Sequence, residues 1–402
     1  MIKIITPSTG TPYTIGDVIK SSFGFFRKEN SLLNFVDQVK RYLNANNIIA
    51  VNSGTSAFYA LLLLFKKISD KNRTDVILPA YTAPSLTLPI RKAGLNPKLI
   101  DTDSTTFNID LNKLLNSIDE KTLAVIIVHM FGIPTDFKKI MDQLKSSQVF
   151  LVEDAASSFG SKIYGKQTGT IADFGFFSFN RGKNVSNFTG GLIYIRDKDL
   201  LNKTMEIIDE NFSSLSAKQI LSILLKIYGL SLAVRPVTYT MLQKLIEKYK
   251  YTSLHTDFDS FKYNTVQSSL GESVAKRYNH IAHLRWRNGK MLYNGLKDNK
   301  NLTVPKIPAD CYVAYNQFPI LVNNKDSKYK IESILLDCGI ETTFLYEKPI
   351  HHFYPELSPD NNNEPFPNSL YLAEHLILLP THPQISTAKI QNMIDVVNSY
   401  AE

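Results

Sequence analysis

Three short segments carry residues whose types and spacing could bind one small anionic ligand and activate it. Asp154 ends the apolar run LVED, Lys183 follows the run FGFFSFN, and Ser53-Gly54-Thr55 precedes an amphipathic stretch. A lysine amine can form an imine with an aldehyde, and burial would lower its pKa towards a useful range. A carboxylate at a strand end can keep a ring nitrogen protonated, and free N–H groups at a helix start can bind phosphate.

Each of these features has an ordinary structural explanation when it stands alone. Ser-Gly-Thr before a helix is often only an N-cap. The Asp154 carboxylate could cap the next helix, and a single loop lysine is usually a solvated charge. Ser178, five residues before Lys183, adds a hydroxyl that could hydrogen-bond a phosphate. Together they favour pyridoxal 5'-phosphate (PLP), which offers an aldehyde, a ring nitrogen and a phosphate.

Alternating apolar runs and amphipathic stretches predict the elements that must position these residues. The predicted strands are Val76–Leu78, Lys98–Ile100, Leu123–Val128, Val149–Val152, Phe174–Phe179 and Leu192–Ile195. The predicted helices between them include Ser56–Phe65, Leu111–Ser117 and Lys138–Leu144. This order predicts an α/β fold with a mostly parallel sheet, whose ligands bind beyond the carboxyl ends of the strands.

The pattern changes after Ile195. A long helical segment is predicted from about Val266 to Leu296. Beyond it, a strand and two helices predict a small α+β domain: Tyr315–Val322, Tyr329–Cys338 and Ala388–Tyr400. We therefore divide the chain into a large domain, residues 1–275, and a small C-terminal domain, residues 276–402.

The large domain contains an apolar helical insertion at about residues 212–250. A helix that is apolar over much of its surface must be buried. Packing against the large domain or in a dimer interface is the favoured explanation. Contact with a membrane surface or a lipid-linked substrate is the less favoured one.

Composition narrows the functional classes. The 402 residues carry a formal net charge of +8, but the basic residues are spread along the chain and no nucleic-acid recognition motif accompanies them. We therefore expect an anionic small molecule as the partner and no nucleic acid. Two distant cysteines, Cys311 and Cys338, make no disulfide framework. With an N-terminus unlike a signal peptide, they predict a cytoplasmic protein.

Taken together, the motifs resemble the DegT/DnrJ/EryC1/StrS family of PLP-dependent aminotransferases. They are VNSGTSA, LPAYTAPS, GLNPKLIDTDSTTFNID, VHMFGIPTD, VEDAASSFGSKIYGKQTGT, DFGFFSFNRGKN, KPIHHFY and LILLPTHPQIS. The resemblance covers nearly the whole chain. It implies fold type I, like aspartate aminotransferase, with a seven-stranded sheet and a homodimer with sites at the interface. It also implies transfer of an amino group from an amino acid such as L-glutamate to a keto-sugar, commonly nucleotide-linked, in polysaccharide or secondary-metabolite biosynthesis.

The resemblance also assigns roles to individual residues. Lys183 would carry PLP as a Schiff base and move the proton, and Asp154 would face the pyridine nitrogen. Gly54 and Thr55 would bind the phosphate through their backbone, and Ser178 through its hydroxyl.

A few positions are less typical of the family. Ser157 stands where the family commonly has Gln, beside the ring hydroxyl of the cofactor. Ala83 replaces an aromatic residue that often stacks on the ring, so Tyr81 is the candidate for stacking. Thr189 replaces Glu in the turn Phe188-Thr189-Gly190-Gly191. Asn264 lies near the stretch that completes the partner's site in the family.

His129 and His351 lie in family-like motifs and are predicted to line the substrate cleft, although each could equally be satisfied inside a packed loop. No metal-ligand spacing links the histidines, so no metal is predicted.

Several alternatives stay open at this point. One is a substrate that is lipid-linked or otherwise not a sugar. Another is a different PLP reaction, such as dehydration or decarboxylation. The family's dehydratases carry His at the lysine position, so Lys183 argues against that branch. A non-catalytic regulator would predict a damaged site, and a lipid-surface module would depend on the insertion alone.

Overall fold

A seven-stranded sheet forms the centre of the large domain. The computed structural model describes residues 4–25, 30–233, 235, 237–241, 256–359 and 363–401. The seven strands are β1 (Ile48–Val51), β2 (Asp75–Pro79), β3 (Asn96–Ile100), β4 (Thr122–Val128), β5 (Phe150–Asp154), β8 (Phe174–Ser178) and β9 (Gly191–Ile195). A separate short hairpin consists of β6 (Lys162–Ile163) and β7 (Lys166–Gln167).

The strand order is β1-β9-β8-β5-β4-β2-β3. Five neighbouring strands are parallel to one another, namely β3, β2, β4, β5 and β8. Strand β9 runs antiparallel to both β8 and β1. The sequence TLAVIIV of β4 is buried at every position, as expected for a central strand covered on both faces. Because the carboxyl ends of parallel strands meet at one edge, the residues after β4, β5 and β8 come together there.

Helices cover both faces of this sheet. They are α1 (Ile15–Phe23), α2 (Asn30–Leu43), α3 (Gly54–Ile68), α4 (Thr87–Lys92), α5 (Leu111–Ser117), α6 (Lys138–Leu144), α7 (Lys198–Asn211) and α8 (Ala217–Ala233). Short 3-10 turns lie at Pro84–Leu86, Met130–Gly132 and Pro355–Leu357. The strands and helices therefore alternate as the sequence predicted.

The segment predicted to be helical from about Val266 to Leu296 is helical, but it contains a break. The chain forms two helices, α9 (Thr265–Ala275) and α10 (Tyr278–Leu296). Arg277 leaves the helical conformation with φ −116° and ψ 6°. Its guanidinium donates to the Pro12 carbonyl, 3.1 Å away, and pairs with buried Asp17. The N-terminal segment thus fixes the break, and periodicity within the helices could not reveal this long-range contact.

The C-terminal region is a small α+β layer. Its antiparallel sheet has the order β10-β11-β12, with β10 at Leu302–Thr303, β11 at Gln317–Val322 and β12 at Leu376–Pro380. Its helices are α11 (Lys325–Asp337), α12 (Ile350–Phe353), α13 (Pro367–His375) and α14 (Thr387–Tyr400). The predicted boundary between residues 275 and 276 falls at the break between α9 and α10, and it stays a prediction.

The insertion predicted at about residues 212–250 contains α8 as its main described element. Residues 234, 236 and 242–250 of that range lie outside the described residues. α8 packs beside α1, where the Ser22 and Tyr228 hydroxyls are 2.6 Å apart. Its outer face keeps Leu225 and Leu232 exposed. Among the described residues, no helix combines the length and apolarity needed to cross a bilayer.

Arg285 on α10 is the largest of the fully buried side chains and ties three parts of the chain together. It donates to the Gly10 carbonyl at 2.8 Å, the Asn316 carbonyl at 2.9 Å and the Thr381 hydroxyl at 3.3 Å. We expect Arg285→Ala to lower the free energy of unfolding by about 3 kcal/mol, because it removes three buried hydrogen bonds and leaves the buried Gly10 carbonyl without its donor. Urea unfolding followed by circular dichroism measures this change.

The matched control is Lys290→Ala, which removes an exposed cation from the same helix. It should change the free energy of unfolding by less than about 0.5 kcal/mol. Equal losses in the two variants would contradict the role assigned to Arg285.

Candidate active site

The predicted site residues gather at the carboxyl edge of the parallel strands. Asp154 is the last residue of β5, and Ser178 is the last residue of β8. These strands are neighbours, with Asp154 opposite Phe176. α3 begins at Gly54 directly after β1, and Lys183 lies in the loop that follows β8. Residues distant in sequence therefore meet because strand order places their loops side by side.

Asp154 and Lys183 form the charged centre of this edge. The Asp154 side chain is buried and accepts a hydrogen bond from the Ala156 N–H at 2.9 Å. Burial raises the pKa of the Asp154 carboxyl, and the nearby Lys183 ammonium opposes this rise. Burial likewise lowers the pKa of the Lys183 amine, against the attraction of Asp154. A larger fraction of Lys183 is therefore neutral than for a surface lysine.

The loop of Lys183 is held in place by its neighbours. The Lys183 ammonium donates to the Ser157 hydroxyl at 3.2 Å. The Lys183 N–H donates to the Asn180 carbonyl at 3.0 Å, which closes a turn. Next in the chain, the buried Asn184 amide donates to the Phe159 carbonyl at 2.6 Å. These contacts aim the lysine at the edge of the sheet.

The start of α3 leaves a small space between Gly54 and Ser178, called the cradle below, that only a glycine at position 54 allows. A Cβ on Gly54 would lie 2.8 Å from Ser178 Cβ and 3.2 Å from Ser178 Oγ. Ser53 caps the helix by accepting from the Ser56 N–H at 3.0 Å. The first N–H groups of a helix have no partner within it, so those of Gly54 and Thr55 are available to an anion. The residues present fit PLP. An anion-binding site beside Ser178 matches its phosphate, the Lys183 amine matches its aldehyde, and the buried Asp154 carboxylate matches its ring nitrogen.

Tyr81 follows β2 and lies beside a segment from the small domain. Its hydroxyl donates to the Tyr346 carbonyl at 3.2 Å, and the two rings meet edge to face at 5.9 Å. Burial raises the pKa of the Tyr346 hydroxyl, and the Asp154 carboxylate raises it further. Tyr346 therefore lies close to the charged centre, although the sequence did not single it out.

His129 lies behind the site in a fully buried network. Its Nδ1 accepts from the Thr135 N–H at 3.0 Å, so Nε2 carries the hydrogen and donates to Glu153 Oε2 at 2.9 Å. Glu153 also accepts backbone N–H groups from Gly169, Ile171 and Ala172. Both ring nitrogens of His129 thus have protein partners, as expected for a histidine that is satisfied inside a packed loop. Its predicted place in the substrate cleft stays a prediction without support from these contacts.

Asn264 acts within the described chain as the N-cap of α9. Its side chain accepts from the Gln267 N–H at 3.0 Å. Gln267 in turn donates to the Thr189 carbonyl at 2.8 Å, in the turn where Thr replaces Glu. Phe188 in the same turn has φ 75°, a conformation that favours glycine. The proposed contact of Asn264 with a partner's cofactor stays a prediction.

His351 belongs to α12. The Ile350 N–H donates to the Ala80 carbonyl at 2.8 Å, which docks α12 on the end of β2 next to Tyr81. Glu364 lies beside the His351 ring, 2.8 Å from its Nε2. His351 thus lies on the helix that contacts the Ala80 end of β2, and its predicted place in the substrate cleft stays a prediction.

Comparison with known proteins supports this architecture. A model of the DegT/DnrJ/EryC1/StrS aminotransferase family matches residues 15–398. The chain belongs to this family. GDP-perosamine synthase from Escherichia coli O157:H7 is 25% identical over 93% of this chain and 91% of its own length. The GDP-4-keto-6-deoxy-D-mannose 3-dehydratase of Yersinia pseudotuberculosis is 32% identical over 44% of this chain and 45% of its own length.

The fold is shared with solved structures of the DegT/DnrJ/EryC1/StrS family. Helicobacter pylori PseC, an aminotransferase involved in the biosynthesis of pseudoaminic acid, matches with a TM-score of 0.78 at 20% identity, over 99% of each chain. The predictions of the family, the fold type I class and a PLP-dependent aminotransferase are confirmed.

Two residues near the site were missed by the sequence argument. Glu153 had a signal, because a second carboxylate in the apolar run LVED needs several donors if it is buried. Tyr346 had none, since it reaches the site from the small domain through the tertiary fold.

We expect Gly54→Ala to weaken PLP binding at least about tenfold, because its methyl group would fill the cradle against Ser178. Equilibrium dialysis with PLP, followed by absorbance of the retained cofactor, measures the affinity.

Gly182→Ala is the matched control in the neighbouring loop. A Cβ there meets no described atom within 4 Å. This variant should keep the PLP affinity of the unsubstituted protein. Unchanged binding by Gly54→Ala would show that the cradle does not hold the phosphate.

Proposed function

We propose that this family member transfers the amino group of L-glutamate to the carbonyl of a nucleotide-linked keto-sugar. The observation that carries the proposal is the Lys183 amine beside the buried Asp154 carboxylate, at the same edge as the glycine-lined start of α3. The resemblance to GDP-perosamine synthase along nearly the whole chain supports a sugar acceptor. The product would serve polysaccharide or secondary-metabolite biosynthesis.

The residues that would hold PLP follow from their positions. The N–H groups of Gly54 and Thr55 and the Ser178 hydroxyl would bind its phosphate. Asp154 would pair with its ring nitrogen. Ser157, which already contacts Lys183, would lie on the side of the ring hydroxyl.

Bound PLP supplies an electron sink that stabilises the negative charge left when a substrate carbon loses its proton. Lys183 performs the proton transfer, because its lowered pKa leaves its Nζ neutral often enough to accept a proton and return it nearby. Asp154 stays anionic when a cation faces it, and so keeps the ring nitrogen protonated. Tyr81 would cover one face of the ring, at the position its hydrogen bond to Tyr346 fixes.

The proposal includes a cytoplasmic homodimer, as the family resemblance implies. The exposed apolar side chains of α1 and α8, which include Ile15, Phe23, Leu225 and Leu232, are surfaces that a partner subunit would bury. Asn264 would then approach the partner's cofactor.

Dehydration is the second candidate, because the Yersinia pseudotuberculosis relative is a 3-dehydratase. Lys183 favours amino transfer, since the family's dehydratases carry His at this position. The half-reaction with L-glutamate separates the two activities.

We expect Lys183→Ala to abolish amino transfer from L-glutamate and the covalent attachment of PLP. Borohydride reduction followed by peptide mass spectrometry should find the phosphopyridoxyl group on Lys183 in the unsubstituted protein. L-Glutamate should also bleach the visible absorbance of the bound cofactor, and it should do so only when Lys183 is present.

The control is Lys166→Ala, which removes an exposed lysine from β7. It should retain both the labelling of Lys183 and the response to L-glutamate. Labelling at another lysine, or a spectrum that L-glutamate leaves unchanged, would contradict the proposal.

Asp154→Asn should lower kcat for amino transfer by about 10²–10³-fold while leaving PLP bound, since it removes the charge opposite the ring nitrogen. Burial raises the pKa of the Asp154 carboxyl in the cofactor-free protein. As the pH falls through that pKa the carboxylate is neutralised, so the affinity for added PLP should fall on the acid side at a higher pH than for an ordinary aspartate. This decrease should be absent from Asp154→Asn, and a decrease at the same pH in both proteins would assign it to another group.

A further inference from the structure

Three side chains that could ligate a metal ion converge at the margin of the active site. They are His351 and His352 of α12 and Glu364 from the segment before α13. One ligand atom from each lies within 4.8 Å of the other two. The two histidines are adjacent in sequence, but Glu364 reaches them only through the fold, which is why sequence spacing indicated no metal site.

His351 is buried without hydrogen bonds that satisfy its ring. Only 4% of the residue is exposed, and its Nδ1 has no hydrogen-bond partner among the described residues. Its Nε2 lies 2.8 Å from Glu364 Oε1. A buried imidazole with an unsatisfied nitrogen is unfavourable unless another partner binds it.

Glu364 faces both imidazoles at once. One carboxylate oxygen lies near His351, and the other lies 3.0 Å from His352 Nε2. The rings of the two histidines are 4.4 Å apart between centroids and inclined by 64°.

The spacing is compatible with coordination of a single ion. Ligand atoms on a tetrahedral zinc ion are about 3.3 Å apart, given metal–ligand bonds of about 2.0–2.1 Å. The two nitrogen–oxygen separations, 2.8 and 3.0 Å, need only small changes to reach this value. His352 is exposed and can rotate to bring its nitrogen closer to that of His351.

We propose that His351, His352 and Glu364 bind one divalent transition-metal ion of the zinc type. Two imidazoles and one carboxylate are borderline nitrogen and oxygen ligands that suit Zn²⁺, Co²⁺ or Ni²⁺ better than Mg²⁺ or Ca²⁺. The ion joins α12 to the segment around Glu364. α12 is docked on Ala80, next to Tyr81, so the ion fixes one wall at the margin of the site. This inference does not depend on the proposed amino transfer.

The test uses the PLP-loaded protein after removal of metals with EDTA and gel filtration. Equilibrium dialysis against Zn²⁺ with metal analysis should give one ion per chain, and bound Co²⁺ should give a visible d–d band outside the PLP absorbance. The melting temperature should rise on addition of Zn²⁺, because the ion binds only the folded chain. Affinity should fall as the pH is lowered through the histidine pKa range, since protons compete with the metal.

The decisive variants are His352→Ala and Glu364→Gln. His352 is exposed, so its removal leaves the fold intact, and the PLP absorbance reports folding in both variants. Each should weaken Zn²⁺ binding by more than about 100-fold, because loss of a mere supporting contact to a metal ligand already costs 10–100-fold. Both should also remove the Co²⁺ band and the rise in melting temperature.

The matched control is the double variant His280→Ala, His283→Ala, which removes two exposed histidines of α10. It should retain one tight Zn²⁺ ion per chain. Loss of binding in this control would place the ion on α10 and overturn the proposal. Unchanged binding in His352→Ala would show that His352 is not a ligand and would also overturn it. The proposal is also overturned if the unsubstituted protein takes up no Zn²⁺.

Discussion

The Asp154 carboxylate is buried at the end of a central strand, and much of the site serves to stabilise it there. A carboxylate removed from water is strongly destabilised unless donors and a cation face it. The Ala156 N–H supplies a donor, and the Lys183 ammonium supplies the cation. Burial makes the Lys183 amine more easily deprotonated than a surface lysine, and the attraction of Asp154 opposes this shift.

Hydrogen bonds outside this pair hold its surroundings in place. Glu153, next to Asp154, points to the other side of the strand and accepts three backbone N–H groups of the 169–172 loop as well as the His129 ring. One buried carboxylate therefore organises the scaffold while its neighbour serves the chemistry. Alternation of side chains along a strand separates the two functions.

Contacts between the large and small domains complete the site. Arg285 connects the N-terminal segment to the loops around β11 and β12, and Tyr346 meets Tyr81 at the margin. The cluster of His351, His352 and Glu364 lies on this same side. A metal ion there would stabilise the position of α12 relative to β2, and thus the shape of the cleft in which a substrate is selected.

The sequence by itself determined the alternation of strands and helices, the family, and the segments that hold Lys183, Asp154, Ser178 and Gly54. Those features depend on local periodicity and on short motifs, which are properties of neighbouring residues. The tertiary structure alone decided the break between α9 and α10, the contact of Tyr346 with Tyr81, the buried network of His129, and the approach of Glu364 to two histidines. Each of these depends on contacts between residues far apart in sequence, and such contacts leave no periodic trace in the chain.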